Sequence, residues 1–231
     1  MRILALETST EYCSVALWQD GELSGRCELA GQKHSEMLIA MIDGVLREAD
    51  VRLAQCDGIA YGSGPGSFTG VRIACGAAQG LALGSGLPVI GVCTLQALAE
   101  DSGKDRVIAA LDARMGEIYV AAYERAGDDW ATVCEPLLCK PEQAPKLPGA
   151  GWFGAGSGFA AFAALQDCYA AQLAGIDAGA IPQARAIAAS AAALLEKGGG
   201  MDAAQAQPFY LRDKVAFKTA ERELMAAEKS R

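Results

Sequence analysis

The feature that most constrains this chain is an internal duplication. An apolar strand, an acidic residue, a turn of small residues and a second strand run through residues 6–17, and the same order returns at residues 111–123. The acidic residues are Glu7 and Asp112, which are 105 positions apart (112 − 7), nearly half of the 231-residue chain. Internal repetition indicates two units of one architecture, so the first unit predicts much of the second.

The first half alternates between the two-residue period of strands and the 3.6-residue period of helices, which predicts an α/β unit with a mixed sheet. Asp20 and Gly21 are typical of a tight hairpin turn. Thr94 is the expected N-cap of the last helix in this half. The predicted strands are 3–6, 14–18, 22–29, 57–61 and 88–93, and the predicted helices are 35–49, a segment ending near 84, and 95–100.

The second half begins with the same pattern, and we expect strands at 107–111, 118–123 and 130–134. Residues 152–153 lead to a glycine loop at 154–158 and a helix, which echo the glycine loop of the first half. Four prolines between 136 and 148 indicate an irregular surface segment. Pro182 is expected in the first turn of an Ala-rich helix that ends at Lys197, before three glycines. We expect two subdomains, 1–103 and 104–202, with a segment at about 203–231 that packs back on the first; residues 213–231 are expected to be helical or frayed.

Charge and histidine content exclude several functions. The net charge is −8, which argues against this chain being the main binding surface for a nucleic acid or an anionic membrane, because such surfaces rely on clustered Lys and Arg. The one histidine, His34, excludes metal sites that need two or three imidazoles. Glu7 interrupts any leader-like apolar start, and no apolar run approaches the roughly 18 residues of a membrane span, so we expect a soluble, cytoplasmic protein.

The eight cysteines are spread along the chain without a Cys-x-x-Cys pair, which favours reduced thiols buried as small apolar groups. Cys134 and Cys139 form the one close pair, and a metal or redox role there is the alternative. His34 begins the predicted helix 35–49, where a capping or packing role is favoured over that of a catalytic base because no nucleophile lies near it in sequence.

Residues 62–70 form a glycine-rich turn between a strand and a helix. Such turns can offer backbone N–H groups to anions, but the spacing fits neither a dinucleotide fingerprint, nor a Walker A loop, nor a nucleophile elbow. We favour a tight turn into a closely packed helix, with anion binding and a partner surface as alternatives. Glu7 and Asp112 similarly allow two interpretations: solvated turn residues, which we favour, or carboxylates that hold a metal-bound phosphate across a cleft.

Two helices carry signs of a partner surface. Helix 35–49 has a main apolar face and a weaker second apolar stripe, so it is either sandwiched within one domain or covered partly by a partner. The next helix carries Gly76, Gly80 and Gly84 at intervals of four residues, and each glycine costs a helix about 1 kcal/mol relative to alanine. This stripe therefore indicates that another element approaches the helix backbone closely.

The duplicated unit with an acid in each first hairpin resembles the actin, sugar-kinase and chaperone-ATPase fold. Several motifs are more specific, and together they resemble the glycoprotease-like family that works in bacterial synthesis of tRNA threonylcarbamoyladenosine, the modified adenosine next to the anticodon. The resemblance covers nearly the whole chain. The motifs lie at residues 4–10, 33–36, 64–72 (GPGSFTGVR), 111–117 and 208–212.

The resemblance implies a non-catalytic scaffold. The catalytic member of the family, TsaD, holds a metal through two histidines, and the matching positions here are Thr94 and Leu98. No catalytic residue, metal or cofactor is then expected in this chain; ATP and metal would be held by its partners. A remnant nucleotide or phosphate cleft would involve Glu7, Thr8, Ser9, Asp112, Gly154 and Gly156, although glutamate stands at position 7 where this fold often has aspartate.

The implied partners are TsaD, in a pseudo-symmetric heterodimer, and the ATPase TsaE, with a homodimer when the chain is alone. Contact with tRNA would be made only through the complex, and no membrane is involved. The surface would lie on the helices near 35–49 and 67–84. Its expected residues are Met37, Met41, Val45, Phe68, Arg72, Ala74, Gly76 and Gly80.

Two other functions remain open from the residues alone. The acids and glycine loops are compatible with an independent nucleotide-dependent phosphotransferase or hydrolase of the actin-like fold. A direct tRNA binder would have to use the C-terminal residues Arg212, Lys214, Lys218 and Arg222 against an overall negative charge.

Overall fold

Two five-stranded mixed sheets form the frame of the protein. The computed structural model describes residues 1–212, and the predicted C-terminal segment 213–231, with Lys214, Lys218 and Arg222, lies outside the described residues. The first sheet has the order β3-β2-β1-β4-β5 and the second the order β8-β7-β6-β9-β10. The strands are β1 Arg2–Glu7, β2 Tyr12–Gln19, β3 Glu22–Leu29, β4 Gly58–Gly64, β5 Val89–Cys93, β6 Arg106–Asp112, β7 Ile118–Ala126, β8 Asp129–Cys139, β9 Trp152–Ala155 and β10 Leu173–Asp177.

In the described part of the chain, six α-helices cover these sheets. They are α1 His34–Glu48, α2 Phe68–Ser85, α3 Thr94–Ser102, α4 Ser157–Ala161, α5 Ala163–Tyr169 and α6 Ala184–Glu196. No helix among residues 1–212 is long and apolar enough to cross a membrane.

The strand pairing confirms the duplication. In each sheet the first two strands of the repeat run antiparallel, and the first strand also pairs in parallel with the fourth, as β1 does with β2 and β4, and β6 with β7 and β9. Glu7 and Asp112 are the last residues of β1 and β6. The two acids therefore occupy equivalent ends of equivalent strands, as the repeat predicts.

Both faces of the first sheet are covered because its central strands are apolar on both sides. Leu4 and Leu6 pack towards α1 and α2, whereas Ile3 and Ala5 pack towards α6. This arrangement explains why these strands read as continuous apolar runs rather than as alternating ones.

One helix of the predicted second subdomain, 104–202, packs on the first sheet instead, which the predicted boundary does not allow for. Helix α6 lies within the predicted second subdomain but packs on the first sheet, where Ala184, Ile187 and Ala191 join its core. Helix α3 lies in the first half of the chain but packs its Leu95 and Leu98 mainly against the second sheet. The sheets therefore exchange a helix, because each has one apolar face left open by its own unit. The first lobe is defined here as the first sheet with α1, α2 and α6, and the second lobe as the second sheet with α3, α4 and α5.

The segment after α6 returns to the first lobe and contacts it as far as Tyr210. Met201 forms a bridge with Val89 beside the edge strand β5, and Ala206 joins the apolar core under α2.

Several local predictions are corrected by the structure. Cys93 rather than Thr94 is the N-cap of α3, and Pro182 lies just before the N-cap of α6, Gln183. Strand β8 continues through Pro136 to Cys139, which an edge strand tolerates because a proline can face away from the ladder. The sequence does not predict strand β10, because its mostly exposed residues lack a clear apolar pattern.

All eight cysteines are free, but the expectation that they are buried holds only in part. Cys13, Cys56 and Cys75 are buried, whereas Cys27 and Cys168 are exposed. Cys27 lies on β3, an edge strand whose eight residues all face solvent. Within residues 1–212, no group of three or more His, Cys, Asp and Glu side chains, Cys134 and Cys139 included, has the geometry to hold a metal ion.

Candidate partner face and interlobe cleft

The glycine-rich turn at 62–70 packs directly on the turn that follows β1. A Cβ added to Gly62 would lie 1.8 Å from Glu7 Oε2, and one added to Gly70 would lie 1.9 Å from the Thr8 carbonyl oxygen. Thr8 Oγ1 also donates a hydrogen bond to the Gly70 carbonyl at 2.7 Å. These glycines are required for close approach of two backbones, which confirms the interpretation of this segment as a tight turn into a packed helix.

Glu7 lies inside this contact, and 1% of its surface is exposed. Its Oε1 accepts a 2.5 Å hydrogen bond from the Ser9 N–H, while Oε2 has no hydrogen-bond partner among the described residues. Burial raises the pKa of Glu7 to about 7, and hydrogen bonding from Ser9 opposes the shift. Glu7 is therefore not the solvated turn residue that the sequence favoured, because the glycine turn seals it from solvent.

A cleft of about 1010 Å³ separates the lobes. Ser9 and Asp112 line it, but Glu7, Thr8, Gly154 and Gly156 do not. The latter four residues are buried behind the wall of the cleft. Of the six residues predicted for a remnant nucleotide cleft, the structure thus brings two to the cavity surface.

The second-lobe glycines pack as tightly as those of the first. A Cβ on Gly156 would lie 2.4 Å from the Ala110 carbonyl oxygen, and one on Gly154 would lie 2.7 Å from the Phe159 ring. Gly156 also adopts a φ of 108°, which favours glycine. The glycine loops of both lobes therefore join strand to helix within a packed core.

Asp112 stands at the mouth of the cleft in a tight β-turn. Its Oδ1 accepts a hydrogen bond from the Arg114 N–H at 2.8 Å, and its Oδ2 accepts one from the Arg114 guanidinium at 3.1 Å. Arg114 and Met115 both have positive φ, at 62° and 59°, a conformation that is uncommon for residues other than glycine. Asp112 thus stabilises the turn that carries it.

The residues at the positions implied for metal binding do not form a metal site. Thr94 is fully buried and its hydroxyl has no hydrogen-bond partner among residues 1–212, while Leu98 packs in the apolar core of the second lobe. His34 directs Nε2 towards the carbonyl oxygens of Thr10 and Tyr12, at 2.8 and 3.2 Å. A hydroxyl and a hydrocarbon are poor substitutes for imidazole ligands, so these positions do not fit a transition metal. His34 has the packing role that the sequence favoured.

One side of α2 is open along its length. A Cβ built on Gly76, Gly80 or Gly84 meets no other part of the described chain within 4 Å. Leu83 lies on this side with 81% of its surface exposed, and Ile39 on α1 is 57% exposed. Both helices cover the same face of the first sheet. The small-residue stripe therefore faces outwards, and no element of residues 1–212 approaches it.

The residues predicted for the partner surface divide into two groups. Met41, Val45 and Ala74 are buried in the core of the first lobe, so their inclusion in a partner surface is wrong. Arg72, Gly76 and Gly80 are exposed, and Met37 and Phe68 are half-buried. Periodicity cannot separate these groups, because both apolar stripes of α1 and α2 satisfy a helical period.

Sequence reasoning missed the role of residues 207–212 in the site. The backbone of Gln207 forms hydrogen bonds with the Tyr61 hydroxyl. Phe209 donates its N–H to the Ser63 carbonyl at 2.6 Å. The Tyr210 hydroxyl accepts a hydrogen bond from Arg72. Arg212 then reaches the second lobe, where it pairs with Glu117 at 2.6 Å. The segment thus joins the two lobes across the rim of the cleft. The motif at 208–212 and the expected packing of 203–231 on the first subdomain both indicated this segment, but neither predicted its contact with the second lobe.

Comparisons with known proteins place these features among relatives. A family model described as TsaD, tRNA N6-adenosine threonylcarbamoyltransferase, matches residues 27–220. The chain is 40% identical to the Escherichia coli tRNA threonylcarbamoyladenosine biosynthesis protein TsaB, over 94% of this chain and 97% of that protein. It is 38% identical to TsaB of Haemophilus influenzae, over 94% and 96% of the two chains. The structure of YeaZ from Pseudomonas aeruginosa matches with a TM-score of 0.82 at 38% identity, and covers 91% of this chain and 99% of that one.

Proposed function

The chain belongs to the TsaB (YeaZ) family, and from this premise we propose that it is a non-catalytic subunit of the machinery that makes tRNA threonylcarbamoyladenosine. The names of its relatives support the role in this pathway. In this proposal the chain pairs through α1 and α2 with the catalytic paralogue TsaD, in a pseudo-symmetric heterodimer.

The open stripe on α2 carries the proposal. Gly76 and Gly80 are exposed and no part of the described chain approaches them, although each lowers the helix propensity of α2 by about 1 kcal/mol relative to alanine. Small residues allow another helix to approach the backbone closely, and Leu83 and Ile39 supply exposed apolar surface beside them. A partner helix packed on this stripe would account for all four residues.

The absence of catalysis is supported by the chemistry of the residues at the site. Thr94 and Leu98 supply no imidazole, and Glu7 is sealed behind the glycine turn instead of facing the cleft. The chemistry, with its ATP and metal, would then belong to TsaD and to the ATPase TsaE. The net charge of −8 disfavours tRNA binding by this chain, so tRNA would also be bound by the partners.

Reconstitution tests this function. The paralogue, the ATPase, tRNA and the small substrates are combined with and without this chain, and the modified nucleoside is quantified by mass spectrometry. We expect modification to depend on this chain and to persist when Asp112→Asn or Ser9→Ala is used. Full modification without this chain would contradict the proposal, and so would loss of activity in both cleft variants.

The cleft favours one alternative, an independent nucleotide-dependent phosphotransferase or hydrolase. Its volume of about 1010 Å³ is ample for a nucleotide, and Ser9, Asp112 and Arg114 offer polar groups. Calorimetry of the isolated chain with ATP and Mg²⁺ separates the two functions. Stoichiometric binding with turnover that Asp112→Asn abolishes would favour the enzyme, because Asp112 lines the cleft, whereas no turnover would favour the subunit.

A further inference from the structure

Arg72 differs from most other arginines of the described chain in having no carboxylate partner. The side chain is exposed near the start of α2, in line with Gly76 and Gly80. Within residues 1–212 it forms no ion pair, and its one hydrogen bond runs from Nε to the Tyr210 hydroxyl at 2.6 Å. The arginines of that part of the chain that do form ion pairs are Arg26, Arg47, Arg106, Arg114, Arg125, Arg185 and Arg212.

The guanidinium is nevertheless held in place. Its Cζ lies 3.6 Å from the centre of the Phe68 ring and 5.6 Å from that of Tyr210, and the two rings are 5.5 Å apart. Stacking on aromatic faces leaves the N–H groups in the guanidinium plane free to bind. Because Nε is already used, the fork of the two Nη groups is the part that remains for a ligand.

A notch of about 360 Å³ opens beside this guanidinium. It is formed by small or apolar groups of α2 and of the segment that crosses it, and Arg72 is the one charged residue in its wall. The Gln79 amide nitrogen, also in the wall, already donates to the carbonyl oxygens of Ala203 and Ala206, at 3.2 and 3.0 Å. The lining residues are Arg72, Cys75, Gly76, Gln79, Ala206, Pro208 and Tyr210.

We propose that this notch is a carboxylate-binding site, in which Arg72 receives an Asp or Glu side chain from the helix of a protein partner that packs on the Gly76–Gly80 stripe. Charge complementarity selects the ligand, since a wall with one cation and no anion favours an acidic group. A protein helix is favoured over an RNA phosphate because the notch continues into the open small-residue stripe and the whole chain is acidic. The proposal rests on the proposed function, whose paralogue would supply this helix.

The test compares the dissociation constants of variants for the catalytic paralogue at low and high salt. Arg72→Gln keeps much of the side-chain length without the charge, and we expect it to raise Kd at least tenfold, which corresponds to about 1.4 kcal/mol. The rise should shrink as salt increases, because screening weakens the charged contact in the wild type. Arg72→Lys should recover part of the affinity, since a point charge replaces the fork.

Two further variants separate positioning from structural damage. Tyr210→Phe keeps the ring but removes the hydroxyl that accepts from Nε, so we expect a smaller loss of about threefold with the same salt dependence. Lys104→Gln makes the same change of charge on the second lobe and should leave Kd unchanged. Circular dichroism and thermal unfolding of each variant confirm that the fold is retained.

The outcomes distinguish this proposal from the proposed function. If the wild type fails to bind the paralogue at all, the proposed function is wrong. If the wild type binds and Arg72→Gln binds equally well at both salt concentrations, the carboxylate site is wrong. The site is also wrong if Arg72→Gln lowers retention of labelled tRNA by the isolated chain while the affinity for the paralogue stays the same, because the ligand would then be a phosphate.

Discussion

Replacement of Glu7 by glutamine changes the dependence of stability on pH. The folded protein raises the pKa of this carboxyl from 4.5 to about 7, because burial disfavours the charged form. Between these two pH values the folded state therefore binds more protons at Glu7 than the unfolded state does. The contribution of Glu7 to stability is fully present below about pH 4.5, and is lost as the pH rises through 7.

The size of the effect follows from the shift. Each pKa unit corresponds to 1.36 kcal/mol, so a shift from 4.5 to about 7 corresponds to about 3 kcal/mol. Glutamine is neutral throughout, has nearly the same shape, and its Oε1 can still accept the hydrogen bond from the Ser9 N–H. We therefore expect the stability of Glu7→Gln relative to wild type to increase by about 3 kcal/mol between pH 4.5 and pH 8.

Urea unfolding at several pH values from 4.5 to 8 measures this difference. Subtraction of the two curves removes the titration of every group that the variants share. Glu36→Gln, an exposed change on α1, is the control for the loss of one negative charge. Parallel curves for wild type and Glu7→Gln would refute the reasoning, since they would mean that Glu7 is hydrated in the folded state.

Two other changes test the packing around the site. Gly70→Ala places a methyl group 1.9 Å from a backbone oxygen and should destabilise the protein by about 2 kcal/mol. Gly80→Ala places its methyl group in open space and should stabilise the isolated chain by up to about 1 kcal/mol. Urea unfolding measures both changes in stability, and equal effects of the two substitutions would contradict the account. Arg212→Ala removes the hydrogen bonds to Ala113 and Glu117 that join the lobes. The backbone amides of residues 112–117 should then exchange hydrogen faster. Unchanged exchange would show that Arg212 does not stabilise the turn at 112–117.

The sequence predicted the frame of the fold well, because the frame depends on local patterns. Strands β1 and β6 are apolar runs ending in an acid, and their repetition predicted two equivalent sheets. The glycine turn at 62–70 was interpreted correctly as close packing, since four glycines in nine residues favour contact between backbones. The exchange of α3 and α6 between the sheets was not predicted, because it depends on which apolar faces remain open after each unit has folded.

The candidate site was predicted only in part, and for a related reason. Sequence periodicity places Met41 and Gly76 on helices that have two apolar sides, but it does not say which side meets the sheet. The structure decides this question: Met41 is in the core, and Gly76 is open to solvent. The contact of Tyr210 with Arg72 joins residues 138 positions apart, and no local pattern encodes it.

The central claim is that the open stripe of α2 binds the catalytic paralogue TsaD. Calorimetric titration of wild-type chain and of Gly80→Glu with this paralogue tests the claim most directly, with Ala164→Glu, an exposed helical position on the second lobe, as the matched control. The account predicts tight binding for wild type and control, and a loss of at least a hundredfold for Gly80→Glu, because an unpaired carboxylate would be buried in the interface. Equal affinity for all three would contradict it.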